Sequence, residues 1–486
     1  MSQAFKLIIA FLFVGIALGN ISPSAPYSTK IGNQTIEQTT YYFTQKVDHF
    51  DPSSTLTYSQ RFTVYSQAFN PANGTVFIYI GGEGPQQGLT TGSGWYMLVA
   101  QQFSAMVICV EHRFYGVSQP FGYGNDAWSV DHLKFLTVDQ SLADLAYFIS
   151  FIKANNFLRI NDRNPFITVG GSYPGAMSAW FRYKYPHLTI GAHASSAVVN
   201  AIMDFQQYDY QIYTSTSLSG PECPIKIQKF NEIVEEILNQ NGEAATNLKA
   251  LFKAQNLQND DFLSYFGDLW AGMVQYGKRT VLCNLFAPDT FGEQLKLVVD
   301  YAITQGNQPV DGYDTQSLTN TTYVNNESGR QWTWQVCTYF GWFQSANQVQ
   351  PMRSKTVDVN FYQNQCKVAF QGFSNFPKSD LTNTFYGGAN LQAFNIVFTN
   401  GVEDEWQWAS IRYPQGNMDA IISNCTDCGH CVEFRYPKPD DSPQLQQTRA
   451  SLIQHYAKWI TEFRNNQNES QNLNFIEKML KNKVRQ

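Results

Sequence analysis

The chain of 486 residues carries little charge: 15% of it is Asp, Glu, Lys or Arg, and the formal net charge is −6. An acidic balance of this kind argues against nucleic acid or an anionic membrane surface as partner. Beyond residue 18 no apolar run approaches the roughly 20 residues that cross a bilayer, so no membrane anchor is expected. The C-terminus ends on Lys481-Asn482-Lys483-Val484-Arg485-Gln486, with neither a lipid-anchor signal nor a KDEL-type retention signal. There is no internal repeat and no low-complexity tract. Beside the cluster Cys425-Thr426-Asp427-Cys428-Gly429-His430-Cys431 a second ligand pair at zinc-finger spacing is missing, which weighs against a metal site. Neither metal nor cofactor is expected.

What is present points to the secretory route. Lys6 precedes the apolar run Leu7 to Leu18, and Ala17-Leu18-Gly19 offers small residues for cleavage, so residues 1–19 are expected to be a signal peptide. Six N-x-[ST] sequons begin at Asn33, Asn73, Asn320, Asn326, Asn424 and Asn468; with a leader they make glycosylation an expectation. Eight cysteines in a secreted chain favour disulfides of undetermined connectivity. Cys109, inside the apolar run Met106 to Val110, is expected to be a buried free thiol. The mature protein is expected in the secretory pathway, either secreted or in a lysosomal or vacuolar compartment.

The run Pro165-Phe166-Ile167-Thr168-Val169-Gly170-Gly171-Ser172-Tyr173-Pro174-Gly175 is the most informative segment. A β pattern stops on two glycines and a serine, and a helical pattern follows at once. A nucleophile elbow has this form, a strained strand-to-helix turn that exposes one serine Oγ. Pro174 stands where G-x-S-x-G has its last glycine; its fixed φ suits the first turn of a helix, and it leaves the Tyr173 N–H in place. By itself the pattern also fits a glycine-rich turn with an unreactive serine.

Apolar β runs at 75–80, 105–110 and 190–198 alternate with helical spacing over 137–153, which implies a mainly parallel sheet flanked by helices. From about 200 to 350 β runs become scarce and amphipathic helices take over, as at 225–239 and 244–252. The α/β pattern resumes at 393–401 and 418–423, and a terminal helix is expected over 445–464. The fold class is therefore α/β, an α/β-hydrolase fold with an inserted helical cap. The expected boundaries are 40–200 and 346–465 for the hydrolase domain, 201–345 for the cap, and 466–486 for a polar tail.

In such folds the acid and then the histidine follow the serine, on loops after late strands. The first late strand runs into Asn400-Gly401-Val402-Glu403-Asp404-Glu405-Trp406, and the last ends before His430. Of seven histidines, His430 alone lies after the acid on a loop that follows a strand; His455 falls in the terminal helix. Glu403, Asp404 and Glu405 compete for the acid role. The chemistry needs all three positions, because serine is a weak nucleophile until an imidazole takes its proton and an acid fixes that imidazole's tautomer. Gly81-Gly82-Glu83-Gly84 is the place for a second oxyanion donor, with Gly82 the candidate beside Tyr173.

These residues carry a family resemblance. Gln45-Lys46-Val47-Asp48-His49-Phe50, Gln60-Arg61-Phe62, Glu111-His112-Arg113-Phe114-Tyr115-Gly116, Gly170-Gly171-Ser172-Tyr173 and Trp334-Gln335-Val336-Cys337-Thr338 resemble, in order, blocks of the Pro-X carboxypeptidase, dipeptidyl peptidase II and thymus-specific serine protease family, peptidase family S28. Asn400 to Trp406 resembles its N-G-x-x-D-P-W block, with Glu405 in place of proline. The resemblance puts Asp404 on the family's catalytic aspartate and His430 on its histidine, and the Gly-Gly-Glu-Gly block is closest to the thymus-specific branch. It implies a serine exopeptidase acting on peptides at proline or small residues near a terminus. Glu83, Trp334, Trp342 and Trp406 are candidate pocket residues, with Phe340 and Trp408 as further aromatics, although core packing explains any single aromatic slightly better and a structural role explains Glu83 at least as well. Glu83 could meet a terminal amine. A homodimer is a candidate assembly. The rival readings are a lipase or esterase on the same scaffold and a catalytically inactive secreted peptide-binding glycoprotein.

Overall fold

The computed structural model of the protein describes residues 21–306, 310–371 and 377–484; the expected leader at 1–19 lies outside them. Among the described residues eleven strands follow one another: β1 Ile21–Ile31, β2 Gln34–Lys46, β3 Thr57–Tyr65, β4 Val76–Ile80, β5 Met106–Val110, β6 Phe166–Gly171, β7 Gly191–Ser195, β8 Ile202–Asp204, β9 Gly341–Phe343, β10 Phe394–Gly401 and β11 Asn417–Ser423. Nine form one sheet in the order β1-β2-β3-β5-β4-β6-β7-β10-β11. From β5 to β11 every neighbouring pair is parallel, whereas β1, β2 and β3 add an antiparallel extension at one edge. This is the topology of an α/β-hydrolase, and the chain has that fold.

The central strands read as continuous apolar runs because helices cover both faces. Phe77, Ile78, Val107, Ile108, Ile167 and Val397 are fully buried. On one face the helix Val138–Ala154 packs Leu142, Leu145 and Phe148 into the large core that also takes Ile78 and Ile108. On the other, Trp95–Gln102 and the terminal helix bring Tyr96, Tyr456 and Trp459 against Phe77 and Ile167. That terminal helix runs from Pro443 to Val484, well past the expected end near 464.

The chain leaves the sheet after β7 and passes through a run of helices that starts at Gln206–Ser217 and includes Glu222–Gln240 and Asn259–Gln275. It returns through Gly329–Gln335. The short strands β8 and β9 pair in parallel where it departs and where it comes back. Disulfides join Cys223 to Cys283 within the helical insertion, Cys337 to Cys366 at its return, and Cys425 to Cys428 beside β11. Cys109 is a buried free thiol, and Cys431 is free as well. Among the described residues no group of ligands is arranged to hold a metal, and no helix is long and apolar enough to cross a membrane.

Candidate active site

Ser172 sits between β6 and the helix Tyr173–Lys184, with φ 66° and ψ −131°. A non-glycine residue held there is strained, and the tight turn explains the small residues around it. A Cβ on Gly170 would lie 2.1 Å from the Pro174 carbonyl oxygen, and one on Gly175 2.6 Å from that of Ser195. Pro174 occupies the first turn of the helix, where its missing N–H costs nothing. Tyr173 is wholly buried; its hydroxyl accepts from Gln335 Nε2 at 2.9 Å and lies 3.1 Å from His112 Nε2. Its backbone N–H is among the first donors of the helix, which have no partner within the helix itself.

Asp404 and His430 come together on the loops after β10 and β11. His430 Nδ1 lies 2.9 Å from Asp404 Oδ1; the carboxylate accepts, so Nδ1 carries the proton and Nε2 is left as acceptor. Burial works to keep this imidazole neutral, but the Asp404 carboxylate, helped by Cys431, overrides it and holds the His430 pKa well above its ordinary 6.5. Asp404 Oδ1 also accepts from the Trp406 N–H at 3.0 Å.

The two alternative acids are engaged otherwise. Glu403 is bound on both oxygens by Arg279, at 2.8 and 3.0 Å. Glu405 is fully buried without a hydrogen bond to either oxygen, and burial together with the adjacent Asp404 pushes its carboxyl well up.

The elbow and the histidine loop meet at the end of β7. Ser172 N donates to Ser195 O at 2.9 Å, and Cys431 N donates to Ser196 Oγ at 2.9 Å. A Cβ on Gly171 would come within 2.6 Å of Cys431 Sγ. The loop after β4 closes the third side, where Gly82 lies so near Pro174 that a Cβ would stand 2.5 Å from its ring. Glu83, half-buried on this loop, has its Oε2 enclosed without a partner; burial raises its carboxyl, and the charge of His430 works against the rise.

A cavity of about 230 Å³ opens beside this group, with Trp332, Trp342, Trp406, Asp268 and Tyr313 among its walls. The Trp406 ring lies 6.3 Å from His430, and the Trp332 ring lies 5.8 Å from Tyr173, so the aromatic walls reach the residues next to the elbow and the base. Phe340 stacks on Trp342 at 4.2 Å. Trp408 lies outside the cavity, its Nε1 donating to Gln211 at 2.9 Å.

Trp334, expected as a pocket wall, packs edge-on against Phe370 at 5.1 Å, in a separate core with Phe114 and Trp128, and does not line this cavity. The neighbouring Trp332, two residues earlier on the same helix, presents its ring to the cavity instead. Spacing within Trp332-Thr333-Trp334 cannot tell which side faces the site, because either ring is bulky enough to be core. The six sequon asparagines are all exposed.

Several motif residues are structural. Gln45, His49, Tyr58 and Arg113 converge on Asp144, with Arg113 Nε and Nη2 at 2.7 and 2.6 Å from its carboxylate. Arg61 pairs with Glu111 at 2.5 Å. These contacts clamp β2 and β3 to the loop after β5. His112, held by the Arg113 carbonyl at 2.7 Å, is lowered to about 4 by burial and is a packed neutral histidine.

The profile of the family described as Serine carboxypeptidase S28 matches residues 45–452. The chain belongs to this peptidase family. Its relatives include the "Probable serine protease EDA2" of Arabidopsis thaliana, 32% identical with 96% of this chain and 99% of that protein covered. The "Lysosomal Pro-X carboxypeptidase" of Bos taurus is 29% identical, covering 94% of this chain and 96% of that protein. The human "Thymus-specific serine protease" is 27% identical, over 92% and 89%. As a member of S28 the chain is a serine peptidase, and the family match reaches the elbow, the acid loop and the histidine loop alike.

Proposed function

We propose that the protein is a serine exopeptidase that hydrolyses peptide bonds at proline or small residues near a chain terminus, through Ser172, His430 and Asp404. The observation that carries the reading is the 2.9 Å bond from His430 Nδ1 to Asp404 Oδ1 on a loop packed against the strained turn at Ser172. With Nδ1–H committed to Asp404, Nε2 takes the Ser172 proton as Oγ attacks the scissile carbonyl, then returns it to the leaving amine. The Tyr173 N–H and an N–H of the Gly82 loop hold the oxyanion. Water repeats the sequence on the acyl-enzyme and releases the second product.

The aromatic cavity supports proline as the favoured ring, since flat apolar walls at Trp332, Trp342 and Trp406 suit a rigid pyrrolidine. Among the described residues that line it or the cleft at Gly82, there is no Lys or Arg, whereas Asp268 and Glu83 are present. Asp268 is already paired with Arg353 Nη1 at 3.1 Å, so Glu83 is the acid left to meet a substrate's ammonium terminus, and the proposed substrate end is the amine. Three disulfides and six exposed sequons support a place in the secretory pathway, and the bovine relative's name adds the lysosome as its candidate compartment.

The test is turnover of X-Pro-containing peptides blocked at one end or the other. Cleavage of carboxyl-blocked peptides with a free amine, lost on acylating the amine, supports the reading. Cleavage that needs a free carboxylate overturns the direction, and ester-only activity overturns the peptidase.

A further inference from the structure

One residue of the helical insertion bonds to the base and to a pocket wall, and both of these bond to the acid. The helix Asn259–Gln275 ends against the histidine loop. The last carbonyls of any helix lack partners within it; here the Gln275 carbonyl accepts the His430 N–H at 2.7 Å. The approach is so close that a Cβ on Gly429 would lie 2.3 Å from Gln275 O and 2.8 Å from Val274 O. The C-terminal end of the helix is therefore seated directly on the backbone of the histidine loop.

The Gln275 side chain completes a circuit. Its Oε1 accepts from Trp406 Nε1 at 3.0 Å and from Tyr208 Oη at 3.1 Å. The Trp406 backbone N–H donates to Asp404 Oδ1 at 3.0 Å, and the same oxygen holds His430 Nδ1 at 2.9 Å. The bonds thus run from Gln275 to His430, on to Asp404, on to Trp406, and back to Gln275.

We propose that Gln275 is a positioning residue, through which seating of the helical insertion sets the alignment of His430 and of the Trp406 wall. This rests on the reading of His430 as the base. Loss of the acceptor leaves two buried donors unpaired and frees Trp406 to turn, which loosens Asp404 and, through it, His430. A misplacement of about 1 Å at such a base costs on the order of a hundredfold in rate.

The experiment compares wild type with Q275M, which keeps the length and removes the acceptor, and Q275E, which keeps the acceptor. Labelling of Ser172 by a fluorophosphonate is read beside kcat and KM on a peptide substrate. Labelling needs an activated serine and no peptide pocket, so it reports on the base alone. Q275M is expected to lower the labelling rate and kcat together by about tenfold or more, with KM changed far less, and Q275E to restore most of the loss. W406F, which removes the same bond from the other side, is expected to behave like Q275M and to add little to it; it carries the comparison if Q275M does not fold. Wild-type labelling rates in both variants, or a change confined to KM, overturn the proposal while leaving Ser172 as the nucleophile. An unlabelled wild type overturns the underlying reading as well.

Discussion

Arg279, on a helix of the insertion, grips Glu403 with Nε and Nη2 at 2.8 and 3.0 Å, one residue before Asp404. Both side chains are almost wholly buried, and Glu403 Oε1 also accepts the Asp427 N–H at 2.9 Å. A single carboxylate thus joins the insertion, the acid loop and the loop that leads to His430. Removing one partner strands the other as a buried charge. R279A is therefore expected to cost about 3 kcal/mol of stability, measured by denaturant unfolding, and to reduce activity through the displaced acid loop. R279K, a point charge without the fork, should recover only part of both.

The Asp404–His430 pair sets a pH prediction. The base works only when neutral, so kcat/KM rises as pH climbs through the pKa of His430. Burial pulls that pKa down, and the Asp404 carboxylate pushes it up past its ordinary value. In D404N the upward push is gone, so the acid limb of the kcat/KM profile is expected to move to lower pH, while kcat falls by about 10⁴ as the tautomer is lost. The linked stability has the matching sign. The contribution of the raised His430 is fully present below its unfolded value near 6.5 and is lost as pH rises through the folded one.

Glu433 gives a second, opposite dependence. It is buried beneath β7 and β10, bonded to Thr399 Oγ1 at 2.5 Å and 3.4 Å from His193 Nε2. Burial would raise its carboxyl, but the bonds from His193 and Thr399 bring it down to about 2. A depressed carboxylate contributes stability above its unfolded pKa, near 4.5, and loses it as pH falls toward about 2. E433Q should flatten this acid limb of the stability profile, as followed by thermal melting between those values.

Much of this was legible in the sequence, for identifiable reasons. The continuous apolar runs at Val76–Ile80 and Met106–Val110 could only be strands covered on both faces, and Gly170 and Gly171 before Ser172 marked a turn too tight for larger residues. The order serine, acid, histidine singled out His430 from the other histidines. What stayed hidden depended on partners distant in the chain. Glu403, Asp404 and Glu405 are alike as sequence, and only the arrival of Arg279, 124 residues earlier, assigns one of them elsewhere. The antiparallel strands β1 and β2 are largely polar, with many exposed residues, so they lack the apolar signature of the central sheet. Gln275 had no signal at all, since a glutamine at the end of a helix is ordinary until its neighbours are known.

The Cys223–Cys283 disulfide spans 60 residues of the insertion. Closing a loop of that length restricts the unfolded chain by roughly 4 kcal/mol. C223S/C283S is expected to lower the melting temperature and to reduce peptide turnover, because one of the two helices it staples, Arg279–Leu285, carries Arg279 to the acid loop and directly follows the helix that ends at Gln275. Calorimetry together with kinetics on the double variant checks this; unchanged activity with a lowered melting temperature would uncouple the insertion from the chemistry.

The most direct measurement is mass-spectrometric mapping of a fluorophosphonate adduct on the intact protein. The account predicts a single adduct on Ser172, abolished in S172A and slowed by about 10³ or more in H430A. An adduct on another serine, or labelling that survives loss of His430, would contradict it.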